Sequence, residues 1–148
     1  MNIADLYKLA ESKGINVYSY SLPDINSLSV KDPGGDYHIA INPNTLSSLP
    51  TEKTCLAHEI SHCETDAFYT LDASKTERGR IEYRADKHAI IKYLVPWDLY
   101  VEAILKGFLA YYEQAEFWGI PEEYVPIVHL VYERTHWDDV VKLRRKFE

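Results

Sequence analysis

Cysteine is scarce in this 148-residue chain, which carries only Cys55 and Cys63. With no export signal, two thiols point to a reducing cytoplasm and away from a disulfide-stapled secreted scaffold. The opening MNIADLYKLAESKG mixes charged and apolar residues and lacks the apolar stretch of a secretory leader. No apolar run nears the roughly 20 residues of a membrane-spanning helix, so that class is excluded. Basic residues are in deficit too: 16 Lys and Arg stand against 23 Asp and Glu, a net charge of −7. Such a surface repels phosphate backbones and gives nucleic-acid binding no overall electrostatic drive. The one basic cluster, Lys142, Arg144, Arg145 and Lys146, reads more simply as a solvated helix end. Internal repeats, low-complexity stretches and Gly/Ser linkers are absent as well.

What is present is an apolar fraction of 46%, far above that of a disordered chain, in a length that suits one domain or one domain with a small appendage. Aromatics are plentiful: 12 Tyr, 3 Trp and 4 Phe. Tyrosines fill a core or line a polar cleft equally well. Asn2 is placed to cap a helix carrying Ile3, Leu6, Tyr7, Leu9 and Ala10, which Gly14 ends. Ile15 to Tyr20 and Tyr37 to Ile41 read as strands, separated by the turn Asp32-Pro33-Gly34-Gly35. From Thr51 the pattern is helical. One helix is expected over Thr51 to Glu64. A second starts at the capping-box spacing Ser74–Glu77 and runs to about Tyr93, before Pro96. Three more follow over Pro96–Lys106, Phe108–Trp118 and roughly Glu122–Thr135, the last disturbed by Pro126.

The helix Thr51–Glu64 holds His58-Glu59-Ile60-Ser61-His62, an HExxH motif. Helical spacing puts both imidazoles on one face, one turn apart, where they can grip a single metal ion. Glu59 sits between them, placed to take a proton from water. By chance alone this chain's composition yields the motif about one time in fifty, so the next helix matters. A catalytic zinc site needs three protein ligands and a solvent position. Glu82, twenty residues beyond His62, is placed as the third ligand. Asp86, one turn on, is placed to accept a hydrogen bond from the far nitrogen of a ligand histidine and so orient it. Ala85 and Ala89 are small enough for the two helices to approach closely. Taken alone, Glu82 and Asp86 would read as an exposed acidic pair; next to HExxH the ligand reading is the stronger.

These residues resemble the ImmA/IrrE family of metallopeptidases of phages and mobile elements. The likeness runs from Asn42-Pro43 through Leu56-Ala57-His58-Glu59-Ile60-Ser61-His62 to Glu82-x-x-Ala85-Asp86-x-x-Ala89 and Leu94-Val95-Pro96, about a third of the chain. It implies zinc held by His58, His62 and Glu82, Glu59 as catalytic base, and a helix-turn-helix repressor as the protein substrate. Two positions depart from the family pattern: Ser61 where Gly is usual, and His88 where Phe or Trp is usual. The expected fold is therefore α+β and zincin-like. A metallopeptidase core over residues 1–95 would be followed by a helical extension over 96–148, packed on it as a single domain.

Other residues carry weaker signals. Cys55 and Cys63 flank the motif and are either small buried residues or redox-sensitive alternative ligands. Tyr69, between the two site helices, is the favoured donor to a tetrahedral oxyanion among several tyrosines. Tyr37–Ile41 reads equally as an ordinary half-buried strand or as an edge strand able to pair with an extended peptide. His38 stands on that strand, a candidate border of the cleft; His88, His129 and His136 read as structural or surface residues. Gln114–Pro121 has a helix-turn-helix flavour, but the second helix would present Glu122 and Glu123 to bases, so DNA recognition is disfavoured. Two alternatives to a peptidase remain: a non-catalytic zinc protein that binds a repressor, and a DNA-binding regulator using the C-terminal helices.

Overall fold

The computed structural model describes residues 1–46 and 48–147, in a mixed α+β architecture. The chain divides into two units, Met1–Ala89 and Ile90–Glu148. No helix among the described residues is long and apolar enough to cross a membrane.

The first unit begins with α1 (Ile3–Ser12). It is capped by Asn2, whose side chain accepts from the Asp5 amide while Asp5 accepts from the Asn2 amide, leaving two fewer amides unpaired at the helix start. Three strands follow: β1 (Asn16–Ser19), β2 (Ser27–Lys31) and β3 (Tyr37–Ile41). They form one sheet in the order β1-β3-β2, with β1 parallel and β2 antiparallel to β3. Tyr37–Ile41 is thus the middle strand. The reading of it as a free edge is corrected: its backbone is engaged on both sides, and the outer strand on one flank is β2, which the sequence pattern did not reveal. Ile39 and Ile41 are buried on one face of β3, with Leu56, Ala57 and Ile60 of α2 (Leu49–Thr65) also in the core. α2 packs on the sheet, on α1 and on α3 (Lys75–Ala89). Ala85 and Ala89 are wholly buried, so no side-chain bulk on that face of α3 holds it away from α2.

The second unit opens with a π-helical turn, Ile90–Leu94, closed by the Val95 amide donating to the Ile90 carbonyl. Then come α4 (Trp97–Leu105), α5 (Tyr111–Trp118), a 3₁₀ turn (Glu122–Tyr124), α6 (Val125–Thr135) and α7 (Trp137–Arg145). Gly119 ends α5 in the left-handed region at φ 68°, where a Cβ would be strained. Pro126 sits in the first turn of α6, where its missing N–H costs nothing. The core of this unit sets large aromatic rings among aliphatic side chains such as Ile104, Val125 and Val128. Tyr100, Trp118 and Tyr132 are buried and Trp97 stacks on Tyr100. The polar tips are satisfied locally: Tyr132 Oη donates to the Val95 carbonyl and Trp118 Nε1 to the Leu99 carbonyl. These rings are packing material, whereas Tyr18, Tyr20, Tyr69, Tyr111, Tyr112 and Trp137 are exposed.

His129 belongs to the same core. Its Nε2 lies 2.7 Å from Gln114 Oε1 and its Nδ1 2.9 Å from Tyr100 Oη, while Gln114 Nε2 donates to the Phe108 carbonyl. That chain of bonds suits the neutral ring. Burial pushes the His129 pKa down to about 4, the Arg144 charge pushes the same way, and Glu133 opposes. The unfolded chain therefore binds a proton that the folded chain refuses between about pH 6.5 and 4. Stability is full above that window and is lost as pH falls through it, by at most about 3 kcal/mol. All three tryptophans lie in this unit, so urea unfolding followed by their fluorescence should show a lower midpoint at pH 5 than at pH 7. His129→Gln should flatten that slope; an unchanged slope would reject the assignment.

Candidate metal centre

Helix α2 sets the two histidines. Ser48 caps it, its Oγ accepting from the Thr51 amide, and Pro50 occupies the first turn, two features that favour helix entry. At the far end Asp66 takes left-handed backbone angles, φ 51° and ψ 37°, a conformation aspartate tolerates better than most residues. Lys31 and Tyr37 both bind the Asp66 carboxylate. The reversal returns the Ala67 carbonyl to His62, 2.6 Å from its Nδ1. Since a carbonyl only accepts, Nδ1 carries the proton and the neutral ring presents a bare Nε2.

Helix α3 supplies the other side. Ser74 Oγ accepts from the Glu77 amide at its start, and one turn of helix separates Glu82 from Asp86. Asp86 Oδ1 lies 2.8 Å from His58 Nδ1, so His58 also turns Nε2 inward. The three inner groups meet there. His58 Nε2 is 2.8 Å from Glu82 Oε2, His62 Nε2 is 3.2 Å from Glu82 Oε1, and the two Nε2 atoms are 3.1 Å apart. Together His58, His62 and Glu82 form a cluster able to hold a metal ion. Donors about 2.0–2.2 Å from a tetrahedral zinc are spaced about 3.3 Å from one another, close to these three separations. The chemistry fits as well: two imidazole lone pairs and a carboxylate converge with no donor among them, an arrangement that calls for a cation. Lacking a metal, the cluster attracts a proton. Burial depresses the His58 pKa, but hydrogen bonds to Asp86 and Glu82 outweigh it and lift it to about 10. Burial raises that of Glu82, and the imidazoles overcome this to hold its carboxyl well below the usual range.

Glu59 borders the same cleft but stands outside the ligand cluster. Only 6% exposed, its carboxylate accepts from Ser27 Oγ at 2.6 Å and Ser29 Oγ at 2.7 Å. Neither serine was singled out from sequence. The signal was there in the alternation of β2, which reads Ser-Leu-Ser-Val with the serines inward and Leu28 and Val30 43% and 45% exposed. The cleft, about 550 Å³, is also bordered by Ile25, Phe68, Tyr69 and Leu71. It is larger than a cavity of about 270 Å³ in the second unit beside His129, whose polar groups already satisfy one another.

Tyr69 lines the cleft within reach of Glu82. Burial first, then the Glu82 charge and a hydrogen bond to it, raise the pKa of its hydroxyl and keep it a donor. The Arg78 guanidinium covers the Tyr69 ring and donates to the Leu71 carbonyl. Neither cysteine joins the ligand cluster. Cys63 is buried, and burial pushes its thiol up to about 12; Cys55 is partly buried, beside Ser27 and Asn26. His38 lies on the sheet face opposite Ile39, bound to Asp32 and stacked on Tyr18, and it does not line this cleft. The two positions that depart from the family pattern touch each other. His88 Nδ1 lies 3.0 Å from Ser61 Oγ, which in turn donates to the Ala57 carbonyl. They form one polar link between α2 and α3. No protein-family model matches the chain, and neither a curated protein nor a solved structure does.

Proposed function

We propose that this chain is a zinc-dependent endopeptidase of zincin-like build, with a helix-turn-helix repressor as its substrate. One observation carries the reading. A buried glutamate, Glu59, adjoins a His58–His62–Glu82 cluster in an open cleft without being one of its ligands. A structural metal site has no use for such a group; hydrolysis needs a base beside the metal. Two imidazoles and one carboxylate are a known ligand set of catalytic zinc. When bound, zinc supplies Lewis acidity to a scissile carbonyl and to water.

The protein groups take the following roles. His58 and His62 turn their Nε2 atoms inward because Asp86 and the Ala67 carbonyl hold the opposite nitrogens. Glu59 takes the proton of the attacking water and returns it to the leaving amine. Tyr69 donates its hydroxyl toward the oxygen that gains charge. β2, an outer strand bordering the cleft, offers backbone groups to an extended peptide. Ile25 and Leu71, both exposed at the cleft, give that peptide apolar surroundings. The choice of a repressor rests on the resemblance to the ImmA/IrrE family. The net charge of −7 suits a protein that meets a DNA-bound regulator without binding DNA itself. We place it in the cytoplasm, whose reducing conditions suit the free thiols of Cys55 and Cys63.

The test is co-expression with any helix-turn-helix repressor found encoded beside its gene, followed by purification and metal analysis. About one zinc per chain and repressor fragments that disappear with 1,10-phenanthroline are expected. Intact repressor bound one-to-one to the zinc-loaded chain would instead favour a non-catalytic binding protein.

A further inference from the structure

The inner face of the sheet is apolar along β3, where Ile39 and Ile41 are buried. The β2 residues in register with them are Ser29 and Ser27 respectively. Inward positions of a strand normally carry apolar side chains, and a buried hydroxyl without a partner is costly. Here two hydroxyls occupy such positions, two residues apart and therefore on one face. The larger apolar residues of the strand, Leu28 and Val30, point the other way. That arrangement would weaken the core unless the serines served something across from them, and what lies across is the Glu59 carboxylate.

The contacts are specific. Ser27 binds one carboxylate oxygen and Ser29 the other, at 2.6 and 2.7 Å, lengths typical of hydroxyl-to-carboxylate bonds in which the acceptor is ionised. A glutamate side chain has three rotatable bonds, and one hydrogen bond leaves the carboxylate free to turn about the contact. Two donors on two oxygens, both fixed to a strand, remove that freedom. Each oxygen keeps a further lone pair for a proton from the cleft.

We propose that Ser27 and Ser29 are positioning residues, which clamp the Glu59 carboxylate by both oxygens in the orientation its role as base requires. The proposal rests on the peptidase reading for that role, while the clamp itself is measurable without any activity. A consequence is that the strand offered to the substrate also holds the base, so the two are set by one rigid element.

The test compares wild type, Ser27→Ala/Ser29→Ala and Ser27→Thr/Ser29→Thr in the full chain, with Glu59→Gln for assignment. In the zinc-free protein labelled with ¹³C-carboxyl glutamate, the Glu59 signal is the one missing from Glu59→Gln. It should shift in the double alanine variant and return in the double threonine variant. If it stays put on removal of both hydroxyls, the clamp does not exist and the proposal fails whatever the activity. In the zinc-loaded chain, with a quenched-fluorescence peptide library as probe, the alanine variant should lose about ten- to a hundredfold in kcat. KM and zinc content should stay unchanged, and threonine should restore the rate. Equal turnover of alanine variant and wild type would overturn the positioning role even if the signal moves. If no variant, wild type included, cleaves any peptide, the peptidase reading fails, and the carboxyl signal alone decides whether the serines hold Glu59.

Discussion

Glu59→Gln should lower peptide turnover about a thousandfold while leaving bound zinc at the wild-type level. The expected size follows from what a positioned general base contributes, about 10² to 10⁴ in rate. Glutamine matches glutamate in shape, and its amide can still engage the Ser27 and Ser29 hydroxyls that meet Glu59 at 2.6 and 2.7 Å. What it cannot do is take a proton from water at neutral pH. Because Glu59 is outside the His58–His62–Glu82 cluster, metal retention should not change. The check is kcat on the zinc-loaded protein together with zinc per chain by mass spectrometry. A variant that cleaves as fast as wild type would remove Glu59 from the mechanism; one that loses its zinc would make Glu59 a ligand.

Replacing His62 by Ala should abolish tight metal binding, and Asp86→Ala should weaken it about 10- to 100-fold. The distinction follows from their places. His62 faces the cluster directly, its Nε2 3.1 Å from that of His58 and 3.2 Å from Glu82, so its loss leaves two ligands. Asp86 binds the far nitrogen of His58 and is outside the ligand cluster; without it the ring can turn or change tautomer, yet three ligands persist. The readout is zinc titration with a competing chelator, supported by thermal unfolding. Zinc at a hundred times its dissociation constant should stabilise wild type by about 2.7 kcal/mol, a shift absent from His62→Ala. Affinity should also fall on acidification, since ligation needs unprotonated imidazoles. Equal zinc affinity in all three proteins would place the metal elsewhere.

The legible parts of this protein were those governed by local periodicity. The spacing of His58 and His62, and of Glu82 and Asp86, each within one helix, needs only 3.6 residues per turn to be read. The cap at Asn2 and the helix start at Ser74 are likewise short-range. β2 was missed because Ser27–Lys31 inverts the usual pattern, with hydroxyls inward and Leu28 and Val30 outward. No rule of burial expects that, and only Glu59 across the sheet explains it. The edge alternative at β3, one of two the pattern allowed, has a related origin. Strand order depends on pairings between distant segments, and an unrecognised β2 left Tyr37–Ile41 looking like an edge. In the second unit the terminal basic residues read as a helix end, but the sequence pattern does not single out α7 (Trp137–Arg145) as an element. Its apolar residues, Val140 and Leu143, are few among the charges.

The sequence by itself determined which side chains are offered to a metal and on which faces of α2 and α3 they stand, because helix geometry is a local property of the backbone. Tertiary structure decided the rest. It brings Glu82 and Asp86 to His58 across two helices, returns the Ala67 carbonyl to His62, and sets Ser27 and Ser29 against Glu59. It also assigns most of the buried aromatics to packing in the second unit. Apart from the local bond between Ala67 and His62, these contacts join residues far apart in the chain, and their energy appears only when the intervening segments have paid the entropy of ordering. A one-dimensional pattern can list the participants in such contacts; packing alone selects the partners.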